Sequence, residues 1–275
     1  MTLGVLRVVH PFPSLLNAVL VAAIAGIAGA APSVVVVLAL AMLLIQFTIG
    51  IANDVFDLPT DRLGRPTKPL VRGDLSRASA SFGAIALGAG GLALATTQGF
   101  VEVGLLAAML GAGLAYDIAL KRLGLGWLAY AIAFPLLPAY AWFGAAGTWP
   151  PRYETLLPIA ALAGPALALA NGVVDAERDR AAGTRTIVVR LGRTRSVNLM
   201  AGLLLAIHVI AWLTAAPAGP AVTTLMIAAG SLAAIGVRWS AARDVAVREW
   251  GWKAQTVAIG SLAGAWFLGT VVPVA

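Results

Sequence analysis

The 275-residue chain is 60% hydrophobic and only 11% charged, with a mean hydropathy of +0.90, and these values exclude a water-soluble globular protein. Soluble domains are nearer half apolar and about a quarter charged, so this chain has too little polar surface to face water on all sides. The absence of cysteine excludes disulfides, thiolate metal sites and a cysteine nucleophile. The net charge of +7 is not arranged as a basic stripe interleaved with aromatic residues, so we expect no nucleic-acid partner.

A membrane-spanning helix needs about 20 consecutive, mostly apolar residues. The chain contains nine such segments, and we expect the first to be retained because no cleavage site precedes it. The nine predicted spans are residues 11–31, 34–54, 79–97, 101–119, 125–146, 154–175, 196–215, 220–239 and 253–272. The third and fourth are rich in glycine and alanine, which favours close helix packing in lipid. The sequence therefore predicts an all-α polytopic membrane protein that forms a single membrane domain over residues 1–275.

The distribution of basic residues predicts the orientation of these spans. Short breaks on one side alternate with longer charged segments on the other, at residues 55–78, 176–195 and 240–252, with a short fourth at 121–122. Of the 19 Lys and Arg residues, 18 fall on the side of the long segments, and only Arg152 falls opposite. Cytoplasmic loops of membrane proteins carry the excess of positive charge. We therefore predict that the long segments and the N-terminus face the cytoplasm, in a bacterial or archaeal plasma membrane.

Acidic residues concentrate in two of these cytoplasmic segments. Residues 53–62 read NDVFDLPTDR, and residues 171–180 read NGVVDAERDR. Both fit the pattern N-x-x-x-D-x-x-x-D-R, begin 118 residues apart, and end predicted spans that run in the same direction. This correspondence predicts two parallel four-helix repeats, over about 11–122 and 125–239, followed by a ninth helix over about 253–272.

A spacing of four residues places side chains on one face of a helix. The two expected polar stripes consist of Asn53, Asp57 and Asp61, and of Asn171, Asp175 and Asp179. Carboxylates at the membrane edge are costly unless they are paired or metal-bound. Two facing stripes would repel each other unless cations lay between them, and oxygen ligands without cysteine suit Mg²⁺. The alternative is a set of solvated carboxylates paired with neighbouring arginines, but two clusters in matching positions favour the metal site.

Basic residues follow each cluster, and Lys or Arg can neutralise the charge of a departing phosphate group. These candidates are Arg65, Lys68 and Arg72 after the first cluster, Arg185 and Arg190 after the second, and Lys121 with Tyr116 at the end of the fourth predicted span. The sequence RPTKP at residues 65–69 predicts a rigid turn that carries two cations over the site. Lys68 and Lys121 fit phosphate contact and a role in membrane topology equally well, whereas Arg190 fits a topological role better.

Three further polar residues lie in or beside the apolar segments. Asn17, inside the first predicted span, either bridges two helices or directs its amide towards a bound phosphate. His10 is expected at the membrane interface, and His208 lies deep in the seventh predicted span. We do not expect either histidine to be catalytic.

Taken together, these motifs resemble those of a known family. The segment NDVFDLPTDRLGRPTKPL resembles the first signature of the UbiA-type intramembrane prenyltransferases, and NGVVDAERDRAAGTRTIVVRLG resembles the second. The segment from Tyr116 to Lys121 is similar to the element that ends the family's fourth helix, and PSLLN at residues 13–17 is also similar. All four motifs occur in the family's order and the nine spans match, so the resemblance covers nearly the whole chain.

The resemblance implies a helical bundle around a central cavity, capped by two cytoplasmic loops, in which Mg²⁺ and a polyprenyl diphosphate bind among membrane lipids without a required protein partner. The implied Mg²⁺ and diphosphate ligands are Asn53, Asp54, Asp57, Asp61, Asp175 and Asp179, with Asn171 beside them. The implied phosphate contacts are Arg65, Lys68, Tyr116, Lys121 and Arg185, and Asn17 is a further substrate-binding candidate. The implied catalytic residues are Asp57, Asp61, Asp175, Asp179 and Lys121. Two departures, Arg185 in place of the more frequent Lys and Asn171 in place of an acid, leave the number of metal ions open.

The implied chemistry ionises an allylic C–O bond, while Mg²⁺ stabilises the leaving diphosphate and a dry apolar cavity protects the carbocation. Prenyl transfer to an aromatic or quinone-precursor acceptor is the first interpretation. A terpene cyclase without an acceptor and transfer to a phosphorylated polar acceptor, such as a glycerol or sugar phosphate, are alternatives within the same fold. An ion-coupled transporter is a remote alternative, because the acidic clusters lie at the cytoplasmic end and not at the midplane. A CDP-alcohol phosphotransferase is excluded, because the Asp-Gly and Ala-Arg pairs of its pattern are missing between Asp57 and Asp61.

Overall fold

The computed structural model describes residues 5–215 and 219–271, and the regular structure in this part of the chain is helical. In chain order the α-helices are α1 (Pro11–Ile27), α2 (Pro32–Gly64), α3 (Pro69–Arg72), α4 (Arg77–Thr96), α5 (Phe100–Ala115), α6 (Lys121–Leu123), α7 (Gly126–Ala146), α8 (Tyr153–Ala181), α9 (Ile187–Leu191), α10 (Arg193–Thr214), α11 (Pro220–Ser240) and α12 (Val245–Val271). A 3-10 helix at Val5–Val9 precedes α1, and a π-helical segment at Tyr116–Leu120 joins α5 to α6.

Seven helical segments in the described part of the chain are long and apolar enough to cross a membrane. They are α2, α4, α5 with its continuation to Leu123, α7, α8, α10 and α11. The first predicted span corresponds to α1, whose 17 residues make it about 26 Å long, shorter than a hydrocarbon core of about 30 Å. The ninth predicted span overlaps α12, which is not among the seven, and its last residue, 272, lies outside the described residues. The all-α membrane fold is therefore confirmed, while the count of nine spans stays a prediction.

The helices form two compact units. Unit 1 contains the described residues up to Ala119 together with Leu136–Trp149, and unit 2 contains Leu120–Pro135 together with the described residues from Pro150 onward. The first half of α7 thus belongs to unit 2 and its second half to unit 1. The repeats expected from the sequence would instead keep residues 125–146 together, so the repeat architecture also stays a prediction.

Within unit 1, α4 packs closely against α2 because glycine leaves room for the neighbouring backbone. A Cβ atom on Gly91 would lie 3.0 Å from Ile45 Cγ2 and 3.1 Å from the carbonyl oxygen of Ala41. Beside this contact, the Thr48 hydroxyl donates a hydrogen bond of 3.1 Å to the carbonyl oxygen of Ala84. Small residues and interhelical hydrogen bonds are the usual means of helix association in lipid. The close packing expected from the composition of the third predicted span is therefore present.

Within unit 2, α11 and α12 pack in the same way. A Cβ atom on Gly236 would lie 2.9 Å from the carbonyl oxygen of Gly251, and Gln255 donates a buried hydrogen bond of 2.9 Å to the Ser240 hydroxyl. These contacts fix α12 against α11, and the fully buried side chain of Arg248, in the first turn of α12, reaches towards α8.

Both acidic segments lie inside helices, at their C-terminal ends. Helix α2 continues to Gly64 and α8 to Ala181, past the predicted span ends at 54 and 175. The residues of the two expected polar stripes, up to Asp61 and up to Asp179, are therefore helical, as their spacing of four predicted. Hydropathy marks only the apolar part of a helix, whereas the backbone hydrogen bonds continue into the polar part. Basic residues in the last turns, which complement the helix dipole, help to stabilise these extensions. A short helix, α3 or α9, follows each of them.

Candidate active site

The first acidic segment presents two buried carboxylates on one side of α2. Asp54 and Asp61 are seven residues apart, which corresponds to two helical turns, and they are 2% and 4% exposed. Asn53 and Asp57 are half-buried at neighbouring positions. The stripe predicted from the spacing of four is therefore helical as expected, but Asp54 shares the buried face with Asp61, which the spacing alone did not indicate.

The turn after α2 returns two cations to these carboxylates. The Lys68 ammonium lies 2.6 Å from Asp54 Oδ1 and 2.6 Å from Asp61 Oδ2. The Arg65 guanidinium lies 3.8 Å from Asp61 Oδ1. The rigid turn predicted from RPTKP is confirmed in this respect, because both of its cations meet the acidic face of α2. Their contact with phosphate stays a prediction.

His10 also belongs to this cluster. Its Nε2 atom lies 3.0 Å from Asp54 Oδ1, although the two residues are 44 positions apart. The 3-10 helix before His10 fits against α2 at Gly50, where a Cβ atom would lie 3.0 Å from the carbonyl carbon and oxygen of Val9. Ser14 donates a hydrogen bond of 2.9 Å to the same carbonyl group, and His10 adopts a positive φ of 48°. A histidine before a proline gave no signal in the sequence that could have revealed this contact.

The end of α5 contributes a further acid beside the first motif. Asn53 Nδ2 donates a hydrogen bond of 2.7 Å to Asp117 Oδ1, and Asp117 is 1% exposed. Asp117 lies in the π-helical segment directly after Tyr116, which is half-buried. The amide nitrogen of Asn53 is thereby engaged, so its oxygen is the atom suited to a metal ion. Sequence reasoning selected Tyr116 and passed over Asp117, which is adjacent to it.

The second acidic segment, in unit 2, has its own basic partners. Asp175 forms an ion pair with Arg178, three residues further along α8, and Asp179 is 7% exposed. Asn171 is half-buried one turn before Asp175. The arginine pairing that was the alternative to a metal site is therefore present for Asp175, in the structure without ligands. Both acidic segments combine carboxylates with a neighbouring cation.

Glu177 ties this end of α8 to two other helices of unit 2. Its carboxylate accepts hydrogen bonds from Arg248 on α12, at 2.5 Å, and from Arg193 on α10, at 3.4 Å. Arg248 also donates to the carbonyl oxygens of Ala242 and Arg243 after α11. The sequence did not single out this cluster, in which Glu177 and Arg248 are 71 residues apart. It fixes the helix that carries Asp175 and Asp179.

The segment after α8 folds back onto the helix and onto the end of α6. A Cβ atom on Gly172 would lie 2.7 Å from Val188 Cγ2, so α9 packs directly on α8. Arg190 donates hydrogen bonds to the carbonyl oxygens of Arg185, at 3.1 Å, and Leu123, at 3.0 Å. The interpretation of Arg190 as merely topological is therefore incomplete, because it joins the segment of Arg185 to the segment that follows Lys121. Whether Lys121 and Arg185 contact phosphate stays a prediction, as does the role of Asn17, half-buried in α1.

The donor set fits Mg²⁺ as a metal that arrives with phosphate. Within the described ranges, no group of three or more His, Asp or Glu side chains is arranged as a preformed metal cage. The available donors are carboxylate and amide oxygens, which suit a hard cation. Mg²⁺ usually binds through one or two carboxylates and completes its coordination with water and substrate phosphates. The buried Asp54 and Asp61 carboxylates already accommodate a cation, the Lys68 ammonium.

Comparisons with known proteins agree with this fold. The family model for the UbiA prenyltransferase family matches residues 14–257. Two relatives called digeranylgeranylglyceryl phosphate synthase are 33% identical over 162 residues, in Methanoculleus marisnigri, and 32% identical over 163 residues, in Korarchaeum cryptofilum. The matches cover 56% and 58% of this chain and 57% and 56% of the relatives. The chain thus spans little more than half the length of the curated relatives it matches.

A solved structure shows the same fold. A UbiA homologue from Archaeoglobus fulgidus, bound to GPP and Mg²⁺, superimposes with a TM-score of 0.73 at 19% sequence identity. The superposition covers 95% of this chain and 99% of that chain. At this identity the likeness establishes the fold.

Proposed function

This chain belongs to the UbiA prenyltransferase family, and from that premise we propose that it transfers a prenyl group from a prenyl diphosphate to a phosphorylated, glycerol-type acceptor. The observation that carries the choice of acceptor is the similarity to two relatives named digeranylgeranylglyceryl phosphate synthase. The sequence analysis ranked an aromatic or quinone-precursor acceptor first, and the relatives favour its alternative, the phosphorylated polar acceptor.

We propose that the two acidic segments bind Mg²⁺ and the diphosphate. The proposed metal and diphosphate ligands are Asn53, Asp54, Asp57, Asp61, Asp175 and Asp179, with Asn171 beside them. Their oxygen donors and the Mg²⁺ and GPP bound by the Archaeoglobus fulgidus homologue support this assignment. Bound Mg²⁺ would neutralise the negative charge that develops on the departing diphosphate.

The side chains of the protein itself have two further tasks in this proposal. Lys68, Arg65, Tyr116, Lys121 and Arg185 contact phosphate oxygens and fix the diphosphate so that its C1–O bond can break. The acceptor hydroxyl then forms an ether bond to C1, and the products are the prenyl ether, diphosphate and a proton. The apolar side chains of the spanning helices exclude water, which would otherwise capture the allylic cation.

A phosphorylated acceptor requires cations beyond those that bind the diphosphate. Besides Arg185, unit 2 carries exposed basic side chains at the end of α8 and the start of α10, including Arg180 and Arg195. Arg190 holds the Arg185 segment against the residues that follow Lys121. This concentration of positive charge supports an anionic acceptor over a neutral aromatic one.

A labelled prenyl diphosphate and Mg²⁺ test the proposal. The purified protein is incubated with a prenylated glycerol phosphate, with an aromatic hydroxy acid, or without an acceptor. We expect a doubly prenylated lipid phosphate from the first incubation. A prenylated aromatic product would support the earlier interpretation, and a cyclic hydrocarbon or alcohol without acceptor would identify a cyclase.

Substitutions of the acidic residues test the assignment of the site. We expect Asp57→Ala and Asp175→Ala each to abolish turnover while the detergent-extracted protein stays folded. Asp74→Ala, which removes an exposed carboxylate that pairs with Arg72 at 3.1 Å, is the matched control and should retain activity. Full activity of either active-site variant would refute its assigned role.

We also propose that both acidic segments and the N-terminus face the cytoplasm, as the charge distribution predicts. The chain has no cysteine, so single-cysteine variants can be labelled without background. Ala78→Cys, beside the start of α4, and Thr148→Cys, after α7, are exposed positions on opposite sides in this topology. Labelling of both from the same side of sealed vesicles would contradict it.

A further inference from the structure

Lys68 occupies the position of a bridging cation between two buried carboxylates. Its ammonium lies 2.6 Å from an oxygen of Asp54 and 2.6 Å from an oxygen of Asp61. The side chains of these aspartates are 2% and 5% exposed, and that of Lys68 is 13% exposed. Two carboxylates buried this close to one cation would repel each other without it. The ammonium therefore neutralises the two carboxylates in the way that a divalent metal would.

The backbone around Lys68 explains how the ammonium is delivered. The amide of Lys68 donates to the carbonyl oxygen of Arg65, which closes a turn after α2, and Pro66 and Pro69 restrict the backbone on both sides. On its C-terminal side, Leu70 is 6% exposed and packs in a cluster with Ile51 and Val55 of α2. The anchor lies beside Lys68 and not at the carboxylates, so the long side chain can change partners while the turn stays in place.

We propose that Lys68 is the resident counter-ion of Asp54 and Asp61, that the divalent metal replaces it, and that the released ammonium then binds the diphosphate. This inference rests on the proposed function, since it takes Mg²⁺ and a prenyl diphosphate as the ligands. Asp54, Asp61 and Lys68 sum to −1, a charge that Arg65, at 3.8 Å from Asp61, offsets, and a divalent ion in place of the ammonium makes the group more positive by one charge. The diphosphate brings new negative charge, to which the released ammonium is attracted.

The exchange has a consequence that a purely structural ion pair lacks. A resident ammonium competes with the metal when no diphosphate is present, and it assists binding when diphosphate arrives. Removal of Lys68 should therefore raise the affinity for the metal when diphosphate is absent, and lower the affinity for diphosphate when the metal is bound. If Lys68 were only a structural ion-pair partner that never leaves the aspartates, its removal would not raise one affinity and lower the other. If only the local charge mattered, removal of any neighbouring cation would change the metal affinity to the same extent.

Metal binding by Lys68→Met is the direct experiment. Mn²⁺ serves as the probe for Mg²⁺, because the electron paramagnetic resonance signal of free Mn²⁺ reports the bound fraction. Without diphosphate, we expect Lys68→Met to bind Mn²⁺ about tenfold more tightly than the unmodified protein, because two charge-assisted hydrogen bonds no longer compete. At saturating Mg²⁺, it should bind a non-ionising prenyl thiodiphosphate about tenfold more weakly. Arg62→Met removes the same charge from an exposed position nearby and should show neither effect.

A second measurement on the unmodified protein covers the case in which Lys68→Met does not fold. The chain has three lysines, Lys68, Lys121 and Lys253, so acetylation by an amine-reactive reagent can be quantified for each by mass spectrometry. Lys253 pairs with Glu249 at 2.7 Å in α12 and serves as an internal reference. We expect acetylation of Lys68 to rise severalfold at saturating Mn²⁺ and to fall again when the thiodiphosphate is added.

The outcomes separate this inference from the proposed function. If the protein binds Mn²⁺ but neither tighter binding by Lys68→Met nor increased acetylation of Lys68 is observed, the exchange is overturned and metal-dependent transfer stands. If Arg62→Met tightens Mn²⁺ binding as much as Lys68→Met does, the effect is general electrostatics and the exchange is again overturned. If the unmodified protein binds no Mn²⁺ even with the thiodiphosphate, the proposed function and the exchange both fail.

Discussion

Substitution of Glu177 should destabilise the protein more than substitution of its buried partner, Arg248. The Arg248 guanidinium is fully buried and donates to Glu177 and to the carbonyl oxygens of Ala242 and Arg243, whereas the Glu177 side chain is 56% exposed. Removal of the carboxylate leaves a buried charge with only its carbonyl partners. Removal of the guanidinium leaves a carboxylate that already faces solvent.

The magnitudes follow from this asymmetry. Breaking a fully buried ion pair by removing one partner costs about 3–5 kcal/mol, and the remaining carbonyl contacts of Arg248 should reduce this for Glu177→Gln to about 2–3 kcal/mol. Arg248→Met removes the buried charge, leaves a carboxylate that faces solvent and loses the hydrogen bonds of the guanidinium, so we expect a cost below about 1.5 kcal/mol. In the double variant the uncompensated charge is absent, so it should be more stable than Glu177→Gln alone.

Unfolding in mixed detergent micelles, followed through the fluorescence of the eight tryptophans, measures these free energies. Arg193→Met is the control, because Arg193 is 35% exposed and its pair with Glu177 should contribute less than about 0.5 kcal/mol. A neutral effect of Glu177→Gln, or a double variant whose loss equals the sum of the single losses, would refute the reasoning.

Three further outcomes are expected. Gly50→Ala should cost about 1–3 kcal/mol, because its Cβ would lie 3.0 Å from the Val9 carbonyl group, whereas Gly26→Ala, with no atom within 4 Å, should be tolerated; thermal unfolding compares the two. Asn53→Leu should cost about 1–3 kcal/mol in the same assay, because the buried Asp117 carboxylate loses its amide donor at 2.7 Å, and a variant as stable as the parent would contradict this. Removal of Mg²⁺ by a chelator should stop prenyl transfer and leave the circular dichroism spectrum unchanged, with activity restored on re-addition.

The features that were predictable from the sequence are those set by local periodicity. Apolar runs located the spanning helices, and the spacing of four placed Asp57 and Asp61 on one helix, because both signals depend only on residues within a few turns of each other. The sequence RPTKP predicted the turn at residues 65–69 for the same reason, since proline acts on its own neighbours. Hydropathy ended the predicted spans at 54 and 175, although the helices continue to Gly64 and Ala181, because hydropathy falls where a helix leaves the apolar region while its hydrogen bonds continue.

The contacts that were not predictable join distant parts of the chain. His10 meets Asp54 across 44 residues, and Asn53 meets Asp117 across 64. Such pairs depend on how far each helix is rotated about its axis, and a rotation of 100° per residue makes neighbouring positions on a sequence point to different partners. The spacing of four therefore selected Asp57 with Asp61, whereas tertiary packing buries Asp54 with Asp61.

The placement of the acidic motifs at the ends of helices explains why each has a cation of its own. Asp61 lies in the last turn of α2 and Asp179 in the last turn of α8, where unpaired carbonyl groups already give the helix end a partial negative charge. Carboxylates at these positions destabilise a helix by about 0.3–1 kcal/mol each, so the motifs are poor choices for stability alone. Lys68 offsets this cost in the protein without ligands, and Arg178 lies beside Asp179 in the same last turn. In the proposed function, Mg²⁺ would supply positive charge from outside, and binding energy would be gained because the acidic helix ends are only partly neutralised beforehand.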